Sequence, residues 1–267
     1  MTQAPSQSRL QNVFAQARAR GDVAIIPYLT VGFPQRESTV ALARAVVQGG
    51  AAAIELGIPF SDPLADGVTI QRASQVALAN GVTVRFCLET AAQLRQNSVD
   101  VPLIFMGYYN PLLQYGLERF IAACVEVGVD GLIVPDLPPQ ESDELLALCQ
   151  AAGRDLIQMV APTSTDQLIA EAAARARGFI YCVSVTGVTG ARTQLPEDLP
   201  AFITRVRQVT TLPLVLGFGI ARPEHVQAAA ALVDGVVVGS ALLDRIASAP
   251  PSAQAEVARA FLEELRS

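Results

Sequence analysis

Two carboxylates, Glu55 and Asp66, bracket the stretch Glu55-Leu-Gly-Ile-Pro-Phe-Ser-Asp-Pro-Leu-Ala-Asp66-Gly67. Glu55 lies inside the apolar run Ala51-Ala-Ala-Ile-Glu-Leu56, where a strand is expected. The two glycines, two prolines and two aspartates that follow read as a shaped acidic loop, after which a helical pattern resumes. A carboxylate among Ala, Ile and Leu is disfavoured in its ionised form, so its pKa is drawn up toward the range useful for proton transfer near neutral pH. The structural alternative is an ion pair between Glu55 and an arginine of a neighbouring strand, with Asp62 and Asp66 capping the next helix.

Other chemistry is limited by what is missing. All 19 basic residues are arginine, and a chain without lysine has no Schiff-base lysine, no lysine for pyridoxal phosphate and no P-loop lysine. The one histidine, His225, follows Arg222-Pro-Glu224 at the start of a helical segment, where a solvated or capping role is expected. One imidazole cannot build a zinc site of two or three histidines, and no G-x-S-x-G accompanies it, so no metal centre and no serine triad are expected. Cys87, Cys124, Cys149 and Cys182 are widely spaced, without CxxC, and read as reduced, mostly buried thiols. Carboxylates, tyrosines, arginines and backbone dipoles remain.

With 267 residues, 51% hydrophobic and 16% charged, the chain can bury one large core. A net charge of −6 with scattered arginines argues against nucleic acid or an anionic membrane surface as partner. The N-terminal residues are polar with helical spacing, and no apolar run approaches the roughly 18 residues of a membrane span. We therefore expect neither signal peptide nor anchor, and a cytoplasmic protein.

Eight short apolar runs recur along the chain: residues 24–30, 52–56, 101–106, 131–134, 156–160, 179–183, 214–216 and 236–238. Helical patterns separate them, with one extra before the first run (7–20) and one extra after the second (68–79, then 82–96). Eight strand and helix units in a chain near the usual ~250 residues predict an α/β fold, a (β/α)8 TIM barrel forming one domain over residues 1–267. The structural alternative is a doubly wound open sheet. In a barrel the chemistry sits where the strands end. Glycines at the last three strand ends, Gly187-Val-Thr-Gly190, Gly217-Phe-Gly219 and Gly239-Ser240, would let backbone amides approach an anion, with Ser240 opening a helix whose N-terminus favours phosphate. Facing them across the mouth, Glu55 on rigid strand suits buried acid/base work and Asp66 on a loop suits capture of a group on closure. A second closing loop is expected at 187–196. Tyr28, Ile133, Met159, Tyr181 and Phe218 would line a mostly apolar space for a flat aromatic group, although each also suits an ordinary core position.

These residues resemble the tryptophan synthase alpha subunit family. The match runs from Ile54 to Gly67 and continues, in the same order, through Pro27-Tyr-Leu-Thr30, Met106-Gly-Tyr-Tyr-Asn-Pro111, Val134-Pro-Asp-Leu-Pro138, Tyr181 to Gly190, Gly217-Phe-Gly-Ile220 and Val238-Gly-Ser-Ala241. The resemblance implies a barrel that cleaves indole-3-glycerol phosphate to indole and glyceraldehyde 3-phosphate by a retro-aldol route, without a cofactor on this chain. It implies Glu55 as principal acid/base, and Asp66 as acceptor from the indole N–H with Thr189 orienting it. Tyr181 would lie near Glu55, and phosphate on the amides of Gly190, Gly219, Gly239 and Ser240. It further implies a beta subunit bearing pyridoxal phosphate in an alpha2-beta2 heterotetramer, met near Pro59, Asp62, Asn110 and Pro111. Two departures are visible: Tyr28 where the family often has Phe, and Gly32-Phe-Pro34 where Gly-Asp-Pro is common. Another sugar-phosphate barrel enzyme and a non-catalytic, ligand-binding activator are the alternatives.

Overall fold

The structure, a computed structural model, describes residues 8–183, 197–217 and 219–267. Eight parallel strands close into a barrel in chain order: β1 (Ala24–Thr30), β2 (Ile54–Gly57), β3 (Leu103–Met106), β4 (Gly131–Ile133), β5 (Asp155–Val160), β6 (Ile180–Val183), β7 (Leu214–Gly217) and β8 (Gly235–Val238), with β8 pairing back onto β1. The expected fold class is therefore the observed one. The strands read as continuous apolar runs because both faces are covered, one by helices and one by the barrel interior.

Helix α1 (Arg9–Ala19) precedes the barrel. The shell holds α2 (Ser38–Gln48), α3 (Val68–Ala79), α4 (Val84–Gln96), α5 (Tyr109–Tyr115), α6 (Leu117–Glu126), α7 (Asp143–Ala151), α8 (Asp166–Arg175), α9 (Leu199–Arg207), α10 (Pro223–Ala230), α11 (Ser240–Ser248) and α12 (Gln254–Leu265). The extra helices before β1 and after β2 stand where the spacing put them. Helix α5 was not foreseen: its first turn contains Pro111, and its first amide, Tyr109 N–H, is capped by Asp136 Oδ1 at 2.9 Å from the loop after β4. Proline is tolerated there because first-turn amides have no intrahelical acceptor.

Alternate strand residues form two cores. One packs strands against helices. The other fills the barrel, with Ile26 and Tyr28 of β1, Ile104 of β3, Ile133 of β4, Ile157 of β5, Tyr181 of β6, Val215 of β7 and Val237 of β8. Leu10 and Phe14 of α1 belong to this inner core and plug the end where the strands begin. Glycines admit the plug: a Cβ on Gly131 would lie 2.9 Å from Leu10 Cδ1, and one on Gly235 2.8 Å from Phe14 Cε1.

Candidate active site

Register sets the first catalytic candidate. Glu55 pairs with Tyr28 of β1 on one side and Ile104 of β3 on the other. Both partners belong to the inner core, so Glu55 points into the barrel, where it is 1% exposed. Neither carboxylate oxygen has a hydrogen-bond partner among the described residues. The ion-pair alternative therefore has no support at this position. Burial, and then the charge of Asp66, raise the Glu55 pKa to about 8.

Asp66 lies half-buried on the loop between β2 and α3. It does not cap that helix; the N-cap is Gly67, and Asp66 instead offers its backbone carbonyl to the side-chain amide of Gln71 at 2.8 Å. Burial lifts the Asp66 carboxyl to about 6, with a hydrogen bond from the Tyr108 hydroxyl pulling the other way. That hydroxyl also accepts the Ala65 N–H at 2.9 Å, so one phenol from the loop after β3 holds the acidic loop at two adjacent residues. Tyr108 stands at a strand end and inside the Met106–Pro111 motif, but its hold on the acidic loop could not be read from the sequence. Its role depends on two loops meeting in space.

Tyr28 and Tyr181 flank the acid. The Tyr28 hydroxyl accepts from buried Thr30 Oγ1 at 3.4 Å. Both phenols are pushed well above their ordinary pKa by burial, then by the charges of Asp66 and Glu55, and so stay protonated. Strand glycines make room for them: a Cβ on Gly57 would sit 2.0 Å from the Tyr28 hydroxyl, and one on Gly217 2.1 Å from Tyr181 Cε1. Buried Ile133 and half-buried Met159 stand on β4 and β5, facing the same interior. Phe218, Thr189 and Gly190 lie outside the described residues, as does the whole of the expected closing loop, 187–196.

At the same end of the barrel, Gly219 has φ +83°, a conformation favouring glycine, with open space where a Cβ would project. Gly239 is the N-cap of α11 and Ser240 its first residue, so these amides begin a helix with no side-chain cap. Such an end suits an anion, through free amides and the helix dipole together. Of the residues assigned to a partner surface, Asp62 and Asn110 are exposed, Pro111 is half-buried and Pro59 is buried within the chain. Leu64 (94% exposed) and Val68 (73%) stand beside Asp66 as bare apolar groups.

His225 is not solvated. It is buried, accepting the Ala221 N–H on Nδ1 at 3.3 Å, a local turn contact of the capping kind. The four cysteines are buried and free. Among the described residues, no cluster of three His, Cys, Asp or Glu could hold a metal ion, and no helix is long and apolar enough to cross a membrane.

Comparison with known proteins adds a family. The family model described as tryptophan synthase alpha chain matches residues 14–266. The tryptophan synthase alpha chain of Chloroflexus aurantiacus is 53% identical, over 97% of this chain and 98% of that protein. Among solved structures, Mycobacterium tuberculosis tryptophan synthase superposes with a TM-score of 0.90 at 37% identity, over 98% of each chain. A tryptophan synthase complex from Pyrococcus furiosus gives 0.84 at 34% identity, over 91% of this chain and 97% of that one.

Proposed function

The chain belongs to the tryptophan synthase alpha chain family, and from that premise we propose how its residues divide the work. It is a carbon-carbon lyase of tryptophan biosynthesis, cleaving indole-3-glycerol phosphate to indole and glyceraldehyde 3-phosphate. Pyridoxal phosphate belongs to the beta subunit of the synthase, its partner, and not to this chain. We read the chain as one barrel domain over residues 1–267, acting in the cytoplasm within an alpha2-beta2 assembly, with Asp62, Asn110, Pro111 and the neighbourhood of Pro59 toward the partner.

Cleavage requires a proton at indole C3, removal of the proton from the glycerol hydroxyl next to the ring, and stabilisation at the indole nitrogen. Glu55 is the proton carrier. With a pKa near 8 it is mostly protonated at pH 7 and can donate to C3. The resulting carboxylate then takes the hydroxyl proton as the carbon-carbon bond breaks, and the bond electrons return to the ring. Asp66, with a pKa near 6, is mostly ionised at the same pH and accepts a hydrogen bond from the indole N–H, holding the positive charge that develops there. Two carboxylates with pKa values on either side of neutrality divide acid from acceptor. Tyr28, Ile133, Met159, Tyr181 and Phe218 enclose the ring, Thr189 orients Asp66, and the amides of Gly190, Gly219, Gly239 and Ser240 hold the phosphate.

The observation that carries this reading is Glu55, buried inside the barrel with neither oxygen paired among the described residues. Replacing it with Gln keeps size and removes the titrating proton. The expected result is a loss of turnover of about 10³-fold with substrate affinity retained. Indole release by Glu55→Gln at a rate near that of the unaltered protein overturns the assignment.

A further inference from the structure

Asp244, one turn into α11, faces α3. It accepts Arg72 Nη2 at 2.6 Å and is reached by Thr69 Oγ1 at 3.2 and 3.4 Å. The Ile70 side chain of α3 also packs near the start of α11, since a Cβ on Gly239 would touch Ile70 Cδ1 at 3.7 Å. From α3 the contacts continue to the active site: Gln71, next to Arg72, donates its side-chain amide to the Asp66 carbonyl at 2.8 Å and its N–H to the Gly67 carbonyl at 2.9 Å. A continuous line of hydrogen bonds and packed atoms thus joins the helix that starts at Ser240 to the backbone of Asp66.

We propose that Asp244 is a positioning residue, which by gripping Thr69 and Arg72 makes α11 and α3 respond as one body, so that phosphate seated on α11 sets the Asp66 carboxylate against the indole nitrogen. The inference rests on the reading that the α11 amides take the phosphate. Coupling of this kind needs two arrangements that the ligand distinguishes. Phosphate supplies the difference at α11, and the acidic loop, with Leu64 almost wholly exposed, supplies the element that shifts. The Arg72 and Asp244 side chains are themselves 55% and 51% exposed, so their ion pair contributes little to global stability. A purely structural tie would leave no other trace.

The test uses the full chain with its beta partner, following kcat and KM for indole-3-glycerol phosphate, inhibition by inorganic phosphate, the acid limb of the pH profile, and Tm. Asp244→Ala is expected to lower kcat roughly 3- to 10-fold and to move the acid limb, with phosphate inhibition and Tm unchanged. Asp244→Asn, which can still accept from Thr69, loses less, and Asp244→Arg combined with Arg72→Asp recovers part of the loss. Ser240→Pro checks the premise separately, because proline is tolerated at a first helical position and removes one amide donor. If Ser240→Pro weakens phosphate inhibition while Asp244→Ala leaves kcat and the acid limb alone, the coupling is wrong and the phosphate seat stands. If Ser240→Pro leaves phosphate inhibition unchanged, the seat is misplaced and the coupling falls with it. A fall in Tm and phosphate affinity in parallel with kcat in Asp244→Ala reduces Asp244 to a structural prop.

Discussion

The two ends of the barrel treat buried acids in opposite ways. Where the strands begin, Asp130 and Asp234 each hold the neighbouring strand and two arginines. Asp130 Oδ2 accepts the Leu103 N–H at 2.9 Å and Arg95 Nη2 at 2.7 Å, and Oδ1 accepts Arg9 Nη1 at 2.9 Å. Asp234 repeats the pattern four units later, with the Leu214 N–H at 2.8 Å, Arg207, and Arg18. In both, one arginine comes from α1 and one from the helix before the neighbouring strand, so the N-terminal helix bolts both halves of the ring. Where the strands end, Glu55 and Asp66 have no arginine partner among the described residues. Burial pushes all such acids upward. At Asp234 the backbone amide and the arginines outweigh it and its pKa is lowered; at Glu55 no group among the described residues opposes it. Asp155 lies between the extremes: Arg177 stands 3.8 Å away, one carboxylate oxygen is unpartnered, and burial leaves its pKa raised. Partner geometry, more than depth, separates an acid that holds the fold from one that moves protons.

The largest test removes a bolt. Asp234→Ala leaves Arg18, Arg207 and the Leu214 amide without their acceptor and should cost about 3–5 kcal/mol in denaturant unfolding, with kcat per folded molecule unchanged. Because the Asp234 pKa is depressed, its stabilisation is fully present above the ordinary carboxylate pKa and is lost as pH falls from there through the depressed folded value. A drop in kcat without a drop in stability would erase the contrast between the two ends.

Asp66→Asn should do the reverse, lowering kcat by about 10²-fold, roughly 2.7 kcal/mol of barrier, with no loss of Tm, since the Asp66 pKa is raised and its carboxylate does not stabilise the fold at neutral pH. Steady-state kinetics beside thermal melts decide between them.

Glu55 sharpens the comparison further, because its loss should stabilise. Its pKa rises from 4.5 to about 8 on folding, so the folded state keeps a proton that the unfolded chain releases, and stability declines as pH climbs between those values. Glu55→Gln should therefore unfold about 2–3 kcal/mol harder at pH 7, more so at pH 9, and equally at pH 4. Equal stability at all three would mean that the carboxyl is not desolvated.

The smallest effect is a shape. Activity needs Asp66 ionised and Glu55 protonated, so kcat/KM should fall below about pH 6 and above about pH 8. Retention of the alkaline limb at full activity beyond pH 9 would place the working proton elsewhere.

Much of this was legible in the chain itself. Eight apolar runs marked eight strands, because a strand covered on both faces must be apolar throughout, and Glu55 stood out as a charge inside one of them. The absence of lysine narrowed the chemistry before any fold was drawn. Helix α5 was not legible, because Pro111 reads locally as a breaker and its cap, Asp136, comes from another loop. For His225 the solvated or capping reading was open, and only the capping contact is found on a buried ring, because whether a helix start lies against the core depends on what packs over it.

Local composition thus determined the ring of strands, the carboxylates at its rim and the reliance on acids and amides, since periodicity and residue type are properties of the chain alone. Tertiary structure decided which acids would be bolted and which left bare. Arg9, Arg95 and Asp130 are up to 121 residues apart, and only closure of the barrel brings them within hydrogen-bond reach while leaving Glu55 facing an interior where no cation among the described residues pairs with it.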